Sequence, residues 1–140
     1  MLTDADWVEY ANQHLTSELS ALNAQFLEGS SSERWLRMSY QPGRNAINHN
    51  PIRSGLIAEM LDQTAIHCGY LVTGYPCATT QMELVIMRPA TACCYVATGR
   101  LIGRTAEAAF LSAELADEAG FEIATIRAAA QVATGLTGPL

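Results

Sequence analysis

Residues 54–72 read SGLIAEMLDQTAIHCGYLV, and the periodicity of this stretch decides what the rest of the chain must build around it. Apolar side chains recur at 57, 60, 61, 65, 68, 71 and 72, three or four positions apart with few helix breakers between them, which predicts a helix of about four or five turns beginning at Ile52 or Ser54. Gly74, Tyr75 and Pro76 end it. The apolar positions cover most of the circumference, so the helix is expected to be central and wrapped by other structure. Charged groups on such a helix are informative.

Downstream, TTQMELVIMRP (79–89) and ACCYVATGRL (92–101) are rich in strand formers, and the first stops at Pro89. A turn follows at Gly103 and Arg104. The next segment, TAEAAFLSAELADEAG (105–120), admits two readings. Its Ala, Glu and Leu favour a helix capped by Gly120; its alternation, with Ala108, Phe110 and Ser112 on one face and Ala109, Leu111 and Ala113 on the other, favours a strand. FEIATIRAAAQVA (121–133) continues beyond the turn at 117–120. Upstream, Trp7, Val8, Ala11 and Leu15 predict a short amphipathic helix over 3–16 with Thr3 or Asp4 as its cap. Residues 19–38 read as a hairpin around Gly29–Ser32, and QPGRNAINHNP (41–51) as a loop.

Composition restricts what this assembly can do. A chain of 140 residues, 49% hydrophobic and 16% charged, suits a single domain over 1–140 and excludes a disordered or collagen-like polymer. Its formal charge is −6, and all eight basic residues are Arg, so no Lys-rich stripe exists to follow a nucleic-acid backbone. The first ten residues carry acids and no basic lead into an apolar run, which makes a cytoplasmic location the expectation. No apolar run approaches the roughly 20 residues of a membrane span. Cys68, Cys77, Cys93 and Cys94 form no C-x-x-C, and His14, His49 and His67 do not stand at zinc-ligand spacing with them; reduced cysteines and no metal are expected.

The side chains able to do chemistry concentrate on the central helix. Glu59, Asp62 and Gln63 share one face, and burial of that face would raise a carboxyl pKa toward the range of a general base, whereas exposure would leave a merely solvated surface. His67, one turn beyond Gln63, reads as a core histidine. At the helix start, Ser54 and Gly55 would present unpaired N–H groups at the positive end of the dipole, suited to an oxyanion or to ordinary capping.

The run Asn48–Asp62, NHNPIRSGLIAEMLD, resembles the loop and helix of hotdog-fold acyl-CoA thioesterases of the phenylacetyl-CoA thioesterase (PaaI-like) type, whose pattern is Asn, a short loop, His-Gly-Gly, then Asp on the helix. Thr79 stands ten residues before Pro89, Arg88-Pro89 is similar to the family's strand end, Gly103-Arg104 to its hairpin, and DEAGFEIAT to its turn into the last strand. The likeness spans about residues 17–134. It implies an α+β hotdog fold, an antiparallel sheet around one long helix, and therefore a strand at 105–117. It further implies hydrolysis of an acyl-CoA or similar thioester without metal or redox cofactor, in a dimer or tetramer. Asp62 would be base or nucleophile, Ser54 and Gly55 the oxyanion donors, Thr79 the holder of water or carboxylate, and Asn48 a brace for the loop or substrate. Arg53 and Arg104 would meet the phosphates of CoA, with Glu59 and Gln63 beside the substrate.

The sequence departs from this pattern at Arg53-Ser54-Gly55, which replaces His-Gly-Gly, and at Asn50, which replaces a loop glycine. A guanidinium cannot accept a hydrogen bond as a neutral imidazole does. Two other readings therefore stand beside hydrolysis. GLIAEMLDQTA also resembles the Glu-x-x-x-Gln helix of hotdog hydroxyacyl-thioester dehydratases, with Glu59 and Gln63 in those places. The third is a non-catalytic hotdog protein that binds an acyl thioester.

Overall fold

The computed structural model describes residues 2–43 and 51–134. Asn48, His49 and Asn50, with any role for Asn48, lie outside the described residues. Helix α1 spans Asp4–Gln13 and opens with a capping box in which Thr3 and Asp6 each satisfy the other's backbone N–H. A second short helix, α2, spans Ser17–Ala21. The hairpin expected from residue 19 therefore starts later, because the Thr16 hydroxyl accepts from Leu19 N and nucleates a helical turn first. Strands β1 (Gln25–Ser30) and β2 (Trp35–Tyr40) form that hairpin. The central helix α3 runs Ser54–Thr73 and ends on Gly74 at φ 81°, a left-handed cap that favours glycine. Four strands follow: β3 (Cys77–Ile86), β4 (Tyr95–Arg104), β5 (Ala108–Asp117) and β6 (Glu122–Val132).

The six strands make one antiparallel sheet in the order β1-β2-β4-β5-β6-β3, and α3 touches all of them. Residues 108–117 are a strand, with Ala109, Leu111, Ala113 and Leu115 buried toward the helix. Helix propensity there loses to two neighbouring ladders and a buried face. Gly99 lies under α3, where a Cβ would come within 2.9 Å of Thr64 O and 3.2 Å of the Cys68 Cβ. The helix can rest on β4 only because that side chain is missing.

The two sheet edges differ. At β1, Asn12 of α1 acts as a substitute strand: its Nδ2 donates to Phe26 O (2.9 Å), and its Oδ1 accepts from Phe26 N (2.8 Å). Trp7 packs edge-on against the Phe26 ring at 5.5 Å. Strand β3, in contrast, pairs among the described residues only with β6. Thr79, Met82, Leu84 and Ile86 lie in register with the buried Ala130, Ala128, Ile126 and Ala124, so they belong to the helix side of the sheet. Met82 and Ile86 are nevertheless exposed. Helix α3 leaves this margin of the sheet bare. No helix among the described residues is long and apolar enough to cross a membrane.

Candidate active site

Two groups of polar atoms stand at different levels of α3. The first surrounds Asp62, two turns into the helix and half-buried. A register shift between Thr79 and Gln81 breaks the β3 ladder, and Thr79 Oγ1 donates to Asp62 Oδ1 at 2.5 Å. That short charge-assisted bond fixes the carboxylate against the sheet and leaves Oδ2 for another partner. On the same face Gln63 Nε2 donates to Glu59 Oε1 at 3.0 Å. Glu59 is thus engaged by its own helix, whereas Asp62 is engaged by the bare margin of the sheet.

Behind these carboxylates runs a buried hydroxyl chain. Thr64 Oγ1 donates to Met60 O (2.9 Å) and lies 2.7 Å from Tyr40 Oη. Burial, with Glu59 and Asp62 as neighbouring negative charges, pushes the Tyr40 phenol far above its ordinary value. Nothing in the sequence pattern of β2 signalled this tie. His67 is the core residue that its apolar helix implied: Nδ1 lies 2.7 Å from Gln63 O, the ring meets Phe26 edge-on, and burial lowers its pKa below 6.5.

The second group is the start of α3. Arg53 is the N-cap, in extended backbone and without a side-chain capping bond, and its carbonyl accepts from Leu56 N (3.0 Å) and Ile57 N (3.2 Å). Ser54 and Gly55 occupy the exposed first turn, where helical geometry leaves N–H groups for an outside acceptor. Among the described residues, a Cβ built on Gly55 would meet nothing within 4 Å. Ile52 N donates to Ala90 O at 2.8 Å, tying this entrance to the segment after β3.

Asp62 stands eight positions after Ser54, roughly 12 Å along the axis. One chain therefore holds the two groups apart. Arg104 joins neither: it closes β4 with Nε donating to Thr105 O, and its charge acts on Cys77, beyond the C-terminal end of α3. Among the described residues no cluster of three His, Cys, Asp or Glu side chains could hold a metal ion.

No protein-family model and no curated protein match the sequence significantly, but solved structures do. A phenylacetic acid degradation-related protein from Ralstonia eutropha superposes with a TM-score of 0.79 at 21% identity, covering 85% of this chain and 92% of that one. The fold is the hotdog fold. The PaaI protein of the phenylacetic acid degradation operon of E. coli gives 0.80 at 13% identity over 94% and 93% of the two chains. A thioesterase from Haemophilus influenzae gives 0.80 at 13% identity over 98% and 94%. The structural neighbours of this hotdog chain are thus thioesterase-superfamily proteins.

Proposed function

We propose that the protein hydrolyses an acyl thioester, with Asp62 as general base or nucleophile and the first turn of α3 as the oxyanion site. The observation that carries this reading is the Thr79–Asp62 bond: it holds the carboxylate at the uncovered margin of the hotdog sheet, beside an apolar row formed by Met82, Leu84 and Ile86. Glu59, by contrast, is bonded to Gln63. That pairing weighs against the dehydratase-like assignment, in which Glu59 would move the proton. No metal or redox group enters the scheme.

The roughly 12 Å between Ser54 and Asp62 cannot span one thioester carbon. A second copy resolves it. Two β3 strands paired antiparallel about their middle would set the Thr79 end of one opposite the Ile86 end of the other. Ile86 and Ser54 border the same groove, so the helix start of one copy would face Asp62 of its mate. The carbonyl oxygen would then sit on the N–H groups of Ser54 or Gly55, and water activated by Asp62, or the carboxylate itself, would attack the carbon. The thiol leaves as the tetrahedral intermediate collapses. Arg53, beside the oxyanion site, would meet anionic groups of the leaving thiol.

Thiol release measured across a panel of aliphatic and aromatic acyl-CoA esters tests this reading. Turnover of at least one member is expected. Binding without turnover across the panel would instead support the acyl-thioester-binding alternative.

A further inference from the structure

We propose that a hollow on the outer face of the sheet, across β4, β5 and β6, binds a phosphate group in its singly charged, protonated form. The site stands on the face away from α3 and is independent of the thioesterase reading. Strand alternation sends Leu101, Leu111 and Ile126 into the core, so Thr98, Arg100, Ser112, Glu114, Thr125 and Arg127 point the other way. Those six residues line a hollow of about 220 Å³. Register sets its arrangement: Ser112 lies directly between Arg100 on β4 and Arg127 on β6, and in the next rank Glu114 lies between Thr98 and Thr125.

The donors around this hollow are largely unspent. Glu83 stands opposite Arg127 on β3, yet among the described residues Arg127 forms no ion pair. The hydroxyls of Thr98, Ser112 and Thr125, all half-buried, have no hydrogen-bond partner among the described residues. Half-buried donors that converge without partners favour an acceptor from outside. Two guanidiniums on either side of a hydroxyl, with two further hydroxyls one rank away, approach from more directions than a planar carboxylate can use, and a tetrahedral oxyanion suits them. Glu114 decides its protonation state. Its Oε1 lies 3.6 Å from Arg100 Nη2, too far for a hydrogen bond, and an ionised carboxylate only accepts. Two Arg and one Glu leave a net charge of about +1, which matches a monoanion whose P–OH donates to Glu114. Sulfate has no such proton to give. Further along the same strands Ile102 and Phe110 are exposed, an apolar ledge for the substituent of a phosphate monoester.

The test is calorimetric titration of inorganic phosphate, sulfate and phenyl phosphate into the full chain at about pH 5.5, below the second pKa of a phosphate group. Wild type is expected to bind phosphate about tenfold or more tightly than sulfate. Arg127→Ala should weaken phosphate about tenfold, the loss of a charge-assisted contact. Arg127→Lys should fall between, since it keeps the charge and loses the plane. Glu114→Gln should bring phosphate and sulfate to within about twofold of each other, because an amide can donate to either. Phenyl phosphate distinguishes the sources: tighter binding than inorganic phosphate that Phe110→Ala abolishes assigns the site to a monoester, and equal or weaker binding assigns it to free phosphate. No phosphate binding by wild type, equal binding of sulfate, or unchanged binding in Arg127→Ala would each overturn the site. Light scattering that finds the assembly broken by Arg127→Ala would also overturn it, by showing that the row meets carboxylates of a second copy.

Discussion

At the scale of single residues, the helix offers two carboxylates one turn apart, and their hydrogen bonds separate their roles. Asp62 is fixed by Thr79 across the gap to β3, while Glu59 is fixed by Gln63 within its own helix. Asp62→Asn keeps the shape and removes the base, so thioester turnover should fall by roughly 10²-fold to 10⁴-fold with the fold intact. Glu59→Gln should cost far less, and steady-state kinetics on the two variants with unchanged circular dichroism make the comparison. A reversed order would favour the dehydratase-like assignment. His67 supplies a different prediction. Its folded pKa is lowered, chiefly by burial, so below pH 6.5 the unfolded chain binds the proton more readily and stability falls as pH drops from there. Melting temperatures between pH 7.5 and 5 should decline in wild type, and less steeply in His67→Gln. Helical spacing made it legible that Glu59, Asp62 and Gln63 share a face and that Ser54 and Gly55 open the helix, whereas Thr79 entered only through the family resemblance. The Tyr40–Thr64 tie was not legible, because it joins residues 24 positions apart and depends on how β2 meets the helix.

At the scale of elements, α3 and its glycine cap follow from periodicity alone, and the strands on either side of Pro89 follow from composition. Two elements required more. Residues 108–117 alternate in burial as β5, and only the neighbouring ladders of β4 and β6 decide against the helix that Ala and Glu would favour. Helix α2 was hidden because its five residues carry too short a pattern to separate from the hairpin that follows. The seating of α3 on β4 is the most sensitive packing contact. Gly99→Ala would push a methyl against Thr64 O, a backbone atom that cannot move without the helix. A loss of about 1–3 kcal/mol is expected from denaturant unfolding. A neutral result would mean that the helix stands further from the sheet than the 2.9 Å approach to Thr64 O implies.

At the scale of the whole molecule, the contrast between the sheet edges carries the functional argument. Asn12 occupies the polar groups of Phe26 at the β1 edge, and among the described residues β3 has no equivalent cover, although Val85, Ile86 and Met87 are exposed there. An uncovered strand with apolar side chains invites a second copy. Glu83→Pro, in the middle of β3, should therefore yield monomers by light scattering and abolish turnover with them. The central claim is that one thioester lies between Asp62 of one copy and the helix start of another. Asp62→Asn removes the first half. Gly55→Val sets a branched side chain before the second, where among the described residues a Cβ meets no atom within 4 Å. Each variant alone should be nearly inactive. The decisive measurement is thiol release by the purified heterodimer of the two, co-expressed under different tags: about half the wild-type rate per dimer is predicted, because one of its two sites is intact. A heterodimer as inactive as its parents would contradict the account.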